Sequence, residues 1–178
     1  MGANADLLTY FEKIATNHLS IAHTTSNQRF FRTELDEFLE SMNLTGLGNC
    51  LILESTDYST PNPSADNMLK YRSIAFMVVK HCDTPDDYSN IATIYDDTEE
   101  IADEIIRKIF YDTYGRAETA FCDVKFDSVS VNPVANFADY NYGQRVVISM
   151  QQYFDTTPDP AKWKAGFLTL DERYVGDD

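Results

Sequence analysis

The sequence predicts an α+β fold: a mostly antiparallel sheet of about four strands with a long amphipathic helix packed on one face. Three observations point there. First, Asp87 to Tyr114 reads as a single helix. At about 100° per residue, Ile91, Ile94, Tyr95, Thr98, Ala102, Ile105, Ile106 and Ile109 fall within about a third of the wheel. Second, Asp96, Asp97, Glu99, Glu100, Asp103 and Glu104 fall on the opposite side, so the stripe has an inner and an outer face. Third, the runs Cys50–Glu54, Tyr71–Cys82, Val124–Val131 and Arg145–Phe154 have the length and apolar content of strands. They supply the surface that the stripe covers.

Taken in order, the chain opens with a helix from about Ala5 to Ser20, with Leu7, Leu8, Phe11, Ile14, Ala15 and Leu19 at helical spacing and Asn4 or Asp6 as cap. Thr24-Thr25-Ser26-Asn27 is a loop by composition, and Arg29-Phe30-Phe31-Arg32 a short extended piece. A second helix is expected from Thr33, with Asp36 completing a weak capping box and Leu35, Phe38, Leu39 and Met42 on its apolar face. Gly46 and Gly48 lead into the strand Cys50–Glu54. Residues 55–68 form a long polar loop, stiffened by Pro61 and Pro63. The next strand has Ile74, Phe76 and Val78 on one face and Ala75, Met77 and Val79 on the other, so it belongs in the middle of the sheet. It is expected to form an antiparallel hairpin with the strand before the loop. Gly115 stops the long helix. In the last strand Val146, Ile148 and Met150 alternate with Val147, Ser149 and Gln151, so one face is wetter. Residues 132–143, rich in Asn and Tyr, read as a long connection. The domain is placed at 1–155. Residues 156–178, with Trp163, Phe167 and Tyr174, are an aromatic tail expected to act as an interface extension.

The 178 residues are 43% hydrophobic, enough for one domain with its own core. The formal charge of −15, from 29 acids and 14 bases, repels nucleic acid and anionic membranes and suits a basic partner or a wall past which DNA slides. The N-terminus lacks the basic and apolar regions of a signal peptide. The longest unbroken apolar run, Ile74 to Val79, is too short to span a bilayer. Neither a membrane nor a specific nucleic-acid partner is expected.

No residue set converges on chemistry. Cys50, Cys82 and Cys122 are odd in number and widely spaced, without a CxxC pair, and read as buried thiols. His18 and His23 sit about 140° apart on a helix and do not share a face. His81 with Asp83 offers too few ligands for a metal and reads as a strand-end histidine. Nine acids and no Lys or Arg lie between Lys80 and Arg107, but the run lacks the glycine and alternating ligands of a calcium loop, so a solvated or partner-facing helix surface is the reading. Gly46-Leu47-Gly48 precedes a strand and is no phosphate loop, and no serine sits in GxSxG. The expectation is no catalytic residue, no cofactor, no metal, and no enzyme.

The order of elements carries a resemblance. An N-terminal helix precedes a strand ending in Leu53-Glu54 and a long polar loop. A central strand, Ile74–Lys80, leads into the helix Ile91–Phe110 ending near Asp112, and two strands close the domain after a linker ending in Tyr142-Gly143. Over roughly residues 5–154 this resembles the tail terminators and head–tail joining structural proteins of tailed phages, and the capping subunits of contractile injection systems. The resemblance implies a small α/β sandwich that closes into a ring, typically a hexamer, on the tail tube. It implies tube or neck proteins as partners, DNA passing through the ring, and a place in the virion after assembly in the bacterial cytoplasm. The alternatives are a small acidic module docking a basic partner and, behind it, an enzyme with an unrecognised site.

Overall fold

The computed structural model describes residues 3–33, 44–54, 57–59, 69–84, 86–115, 124–137, 140–153 and 160–162. The element order is α1 (Ala3–Asn17), β1 (Phe30–Thr33), β2 (Cys50–Glu54), β3 (Asp57–Ser59), β4 (Leu69–His81), α2 (Tyr88–Gly115), β5 (Val124–Phe137) and β6 (Asn141–Tyr153), followed by a 3-10 turn at Pro160–Lys162. Thr33, the expected start of the second helix, closes β1, and residues 57–59 of the loop expected at 55–68 are strand. Residues 34–43, 55–56 and 60–68, including most of the Pro-rich tip at 59–64, and nearly all of the tail lie outside the described residues.

The α+β class holds, but the sheet differs from the expected four mostly antiparallel strands. Its order is β1-β2-β4-β6-β5, five positions, with β3 pairing β4 beside β2. It is mixed, because β1 runs parallel to β2, Phe30 opposite Leu51. A parallel neighbour needs a crossover of a dozen or more residues, and the stretch 34–49 between the two strands has that length. The short piece expected to be extended at Arg29–Arg32 is strand at Phe30–Thr33, and pairing with β2 adds it to the sheet. Strand β3 is the second addition. Leu53 pairs Phe76 and Asp57 pairs Ser73, so three intervening positions on one side stand against two on the other. One extra residue is therefore accommodated between β2 and β3, which continue along the same edge of β4.

The expected long connection at 132–143 is instead strand. β5 runs through Pro133, paired with Gln144, and β6 starts at Asn141. Proline survives there because β5 is the sheet's edge, where an outward N–H is not needed. The turn itself uses Asn136 and Tyr140, both at positive φ (51° and 60°). The Asn136 side-chain oxygen accepts from the Tyr140 amide at 3.3 Å. Gly143 is required where β6 meets β4: a Cβ there would lie 2.0 Å from the Val78 carbonyl oxygen.

The central strand is buried on both faces, as its sequence predicts. Leu51, Leu53, Ile74, Phe76, Val78, Val146, Ile148 and Met150 pack with Leu7, Phe11 and Ile14 of α1 and Ile101, Ala102, Ile105 and Ile109 of α2. On the other face Cys50, Ile52, Met77 and Val79 pack with Leu44. Helix α2 starts at its predicted place because Asp87 caps it. The Asp87 carboxylate accepts from the Asn90 amide at 3.0 Å. Its stripe is Ile94, Thr98, Ile101, Ala102, Ile105 and Ile109, with Ile91, Tyr95 and Ile106 half-buried at the margins. Thr98 is tolerated at 0% exposure because its hydroxyl donates to the Ile94 carbonyl at 2.7 Å. Helix α1 ends at Asn17, short of the expected Ser20. Leu19 thereby leaves the helical phase and is 94% exposed, while Ile21 takes the inward position.

Candidate functional site

Helices α1 and α2 lie on the same face of the sheet, and two adjoining hollows open between them. One, of about 330 Å3, is lined by Tyr10, Lys13, Ile14, Asn17, His18, Glu104, Ile105, Lys108 and Asp112. The other, of about 580 Å3, runs on past His18 to Ser20, Asn49, Asp97, Glu100 and Arg107. His18, Asn17 and Glu104 belong to both.

The floor of the first hollow is a polar clasp. Asp112, on the last turns of α2, is buried at 1% exposure. The Tyr10 hydroxyl of α1 donates to its Oδ2 at 2.8 Å. Lys108, one turn earlier, donates to its two oxygens at 2.5 and 2.6 Å. A buried carboxylate needs such partners, and here they come from both helices, so the clasp ties α1 to α2. The Lys108–Asp112 spacing is visible in sequence as an i,i+4 pair. Tyr10, 102 positions away, gives no local signal. His18 stands where α1 ends. Its Nδ1 accepts from the Ser20 amide at 3.3 Å. Burial pushes its pKa below 6.5, and the Glu104 charge partly opposes this. His18 and His23 are not brought together: His23 Nδ1 accepts from the Arg29 amide at 3.0 Å, back in the β1 entry turn.

The acidic face of α2 is outward, as the wheel requires. Asp96, Glu99, Glu100, Asp103 and Glu104 are exposed. Lys80 reaches Asp97 at 3.5 Å. Arg107 reaches Glu104 at 2.8 Å and Asp103 at 3.5 Å. His81 is the last residue of β4 and its Nε2 lies 3.7 Å from Asp83. Among the described residues no group of three or more His, Cys, Asp or Glu converges as a metal site. Cys50 and Cys82 are buried free thiols; Cys122 lies outside the described residues. The Cys50 thiol is pushed up to about 12 by burial, with Arg29 pulling the other way, so it is not a nucleophile near neutrality. On the face opposite the helices, Arg145 grips Glu54 through two hydrogen bonds of 2.8 and 2.7 Å, and Glu54 is 8% exposed.

What composition did not reveal is the distribution of exposed aromatics. At the N-terminal end of α2, Tyr88 is 77% exposed, and Tyr140 is also exposed; the Tyr140 carbonyl accepts from the Cys82 amide just upstream of the helix. At the C-terminal end Tyr111 and Tyr114 are 72% and 74% exposed. Phe110 and Tyr114 stack at 6.0 Å, and both contact Phe126 of β5. With 28 residues and a rise of about 1.5 Å each, α2 separates these two patches by about 40 Å. No described helix is long and apolar enough to cross a membrane. No protein-family model matches the chain, and no curated protein is significantly similar to it in sequence.

Proposed function

We propose that the chain is a structural subunit of a ring that caps the tail tube or joins head to tail in a phage or phage-like particle. The observation that carries this reading is the pair of exposed aromatic patches at opposite ends of α2. A ring needs a heterologous contact, in which one surface of a subunit meets a different surface of the next. Tyrosine is among the side chains enriched at such contacts. At the C-terminal patch the Lys108 ammonium lies 5.9 Å from the Tyr111 ring centre. A basic lumen would hold DNA by counterion release, so an acidic subunit suits a ring through which DNA passes. In this reading the partners are further copies, in the hexameric ring that the family resemblance implies, with tube or neck proteins, and the location is the virion.

Sedimentation of the full chain tests it. The protein should assemble, and Tyr88→Ser and Tyr114→Ser should each stop assembly. Mixed together, the two variants should form a pair through the one contact that both leave intact. A protein that stays monomeric at every concentration, or variants that assemble normally, refutes the reading. A second reading, an acidic module docking a basic partner, is favoured by the exposed Asp96, Glu99 and Glu100 of α2. It predicts a monomer that binds a basic protein in a salt-sensitive way.

A further inference from the structure

Arg72 is the anomaly of the charge pattern. The cations Lys80, Arg107, Lys108 and Arg145 each have an acidic partner within the fold. Arg72 lies on β4 between Tyr58 of β3 and Met150 of β6, and is only 9% exposed. Among the described residues no carboxylate or carbonyl pairs with its guanidinium. Removing a guanidinium from water without a counter-charge is costly, and burial alone lowers its pKa, with no anion opposing. Lys70, two residues along the strand, is affected too: its pKa is lowered by its own burial and then by the Arg72 charge. The chain has 29 acids to 14 bases, yet among the described residues none of those acids neutralises this position.

We propose that Arg72 is the receptor for a carboxylate brought by a second copy of this chain. The planar fork of a guanidinium binds a carboxylate through two parallel hydrogen bonds, and the partly dehydrated setting strengthens them. The acid surplus means that every copy presents carboxylates, so the occupant is supplied by self-association. On a docked neighbour a single carboxylate is held in place by the rest of the contact, which a free anion lacks. The inference rests on the ring reading and gives it a specificity element: an unmatched cation costs stability in the free subunit and is neutralised on assembly.

The test compares the full-length protein with R72M, which keeps the length of the side chain and removes its charge. Two quantities are read: the melting temperature of the dilute monomer, and the self-association constant by sedimentation. The expected result is a monomer that melts no lower than wild type, together with association weakened at least tenfold. A lower melting temperature in R72M overturns the proposal, because Arg72 then has its partner within its own fold. Equal association of R72M and wild type also overturns it. If equal association coincides with loss of assembly in Tyr88→Ser, the ring reading stands and only the Arg72 assignment falls. A wild-type protein that remains monomeric overturns both. Melting in inorganic phosphate and in succinate completes the set: an Arg72-dependent rise in a protein that never self-associates identifies a free anion as the occupant and overturns the second copy.

Discussion

The clasp between the helices gives the sharpest quantitative test. Tyr10→Phe removes one hydroxyl and keeps the ring, which packs edge-on to Phe11 at 5.8 Å. The lost interaction is a 2.8 Å hydrogen bond to a buried carboxylate. Hydrogen bonds to charged groups contribute about 1.5–3 kcal/mol, so the variant should be less stable by that amount. Packing does not change, hence nearly all of the loss should belong to the Tyr10–Asp112 pair. A double-mutant cycle isolates it. In an Asp112→Ala background the hydroxyl has lost this acceptor, and Tyr10→Phe should cost less than about 0.5 kcal/mol. Lys108 contributes little to the comparison, since its side chain is 53% exposed and turns to water once Asp112 is gone. Urea denaturation followed by circular dichroism gives the four stabilities. If Tyr10→Phe costs the same in both backgrounds, the hydrogen bond is not what ties the helices together.

Two further outcomes follow from burial and charge. Ile105 is 1% exposed in the main core, so Ile105→Ala should cost about 2–5 kcal/mol in the same urea assay, and a cost below about 1 kcal/mol would mean that α2 does not pack by this stripe. Burial lowers the His18 pKa, with Glu104 opposing. Well above pH 6.5 the imidazole is neutral whether the chain is folded or not, so this group costs nothing there. Below that pH the unfolded chain takes up the proton more readily, and stability falls until the folded imidazole titrates too. Melting temperatures between about pH 7.5 and 5 should therefore decline, and His18→Gln should flatten that decline; parallel profiles would contradict it.

Much of the architecture was legible from local pattern. The long helix was readable because its stripe repeats over many turns and Asp87 and Gly115 mark its ends. The central strand was readable because six consecutive residues, Ile74 to Val79, are apolar and end up buried. The acidic face followed from the same wheel. The inward alternation of Val146, Ile148 and Met150 also held. Residues 132–143 misled because Asn, Pro and Tyr are turn formers in isolation, yet edge pairing to β6 overrode that preference.

Sequence by itself thus determined the class of the fold, the inner and outer faces of α2, and the surplus of negative charge, since each depends on residues near one another in the chain. Tertiary structure alone decided the parallel docking of β1 and the partnership of Tyr10 with Asp112. It alone separated the exposed tyrosines into two patches and left Arg72 buried with no counter-charge among the described residues. These features join positions tens of residues apart, and strand order and helix packing place them together; no local periodicity or spacing encodes which distant side chains will meet.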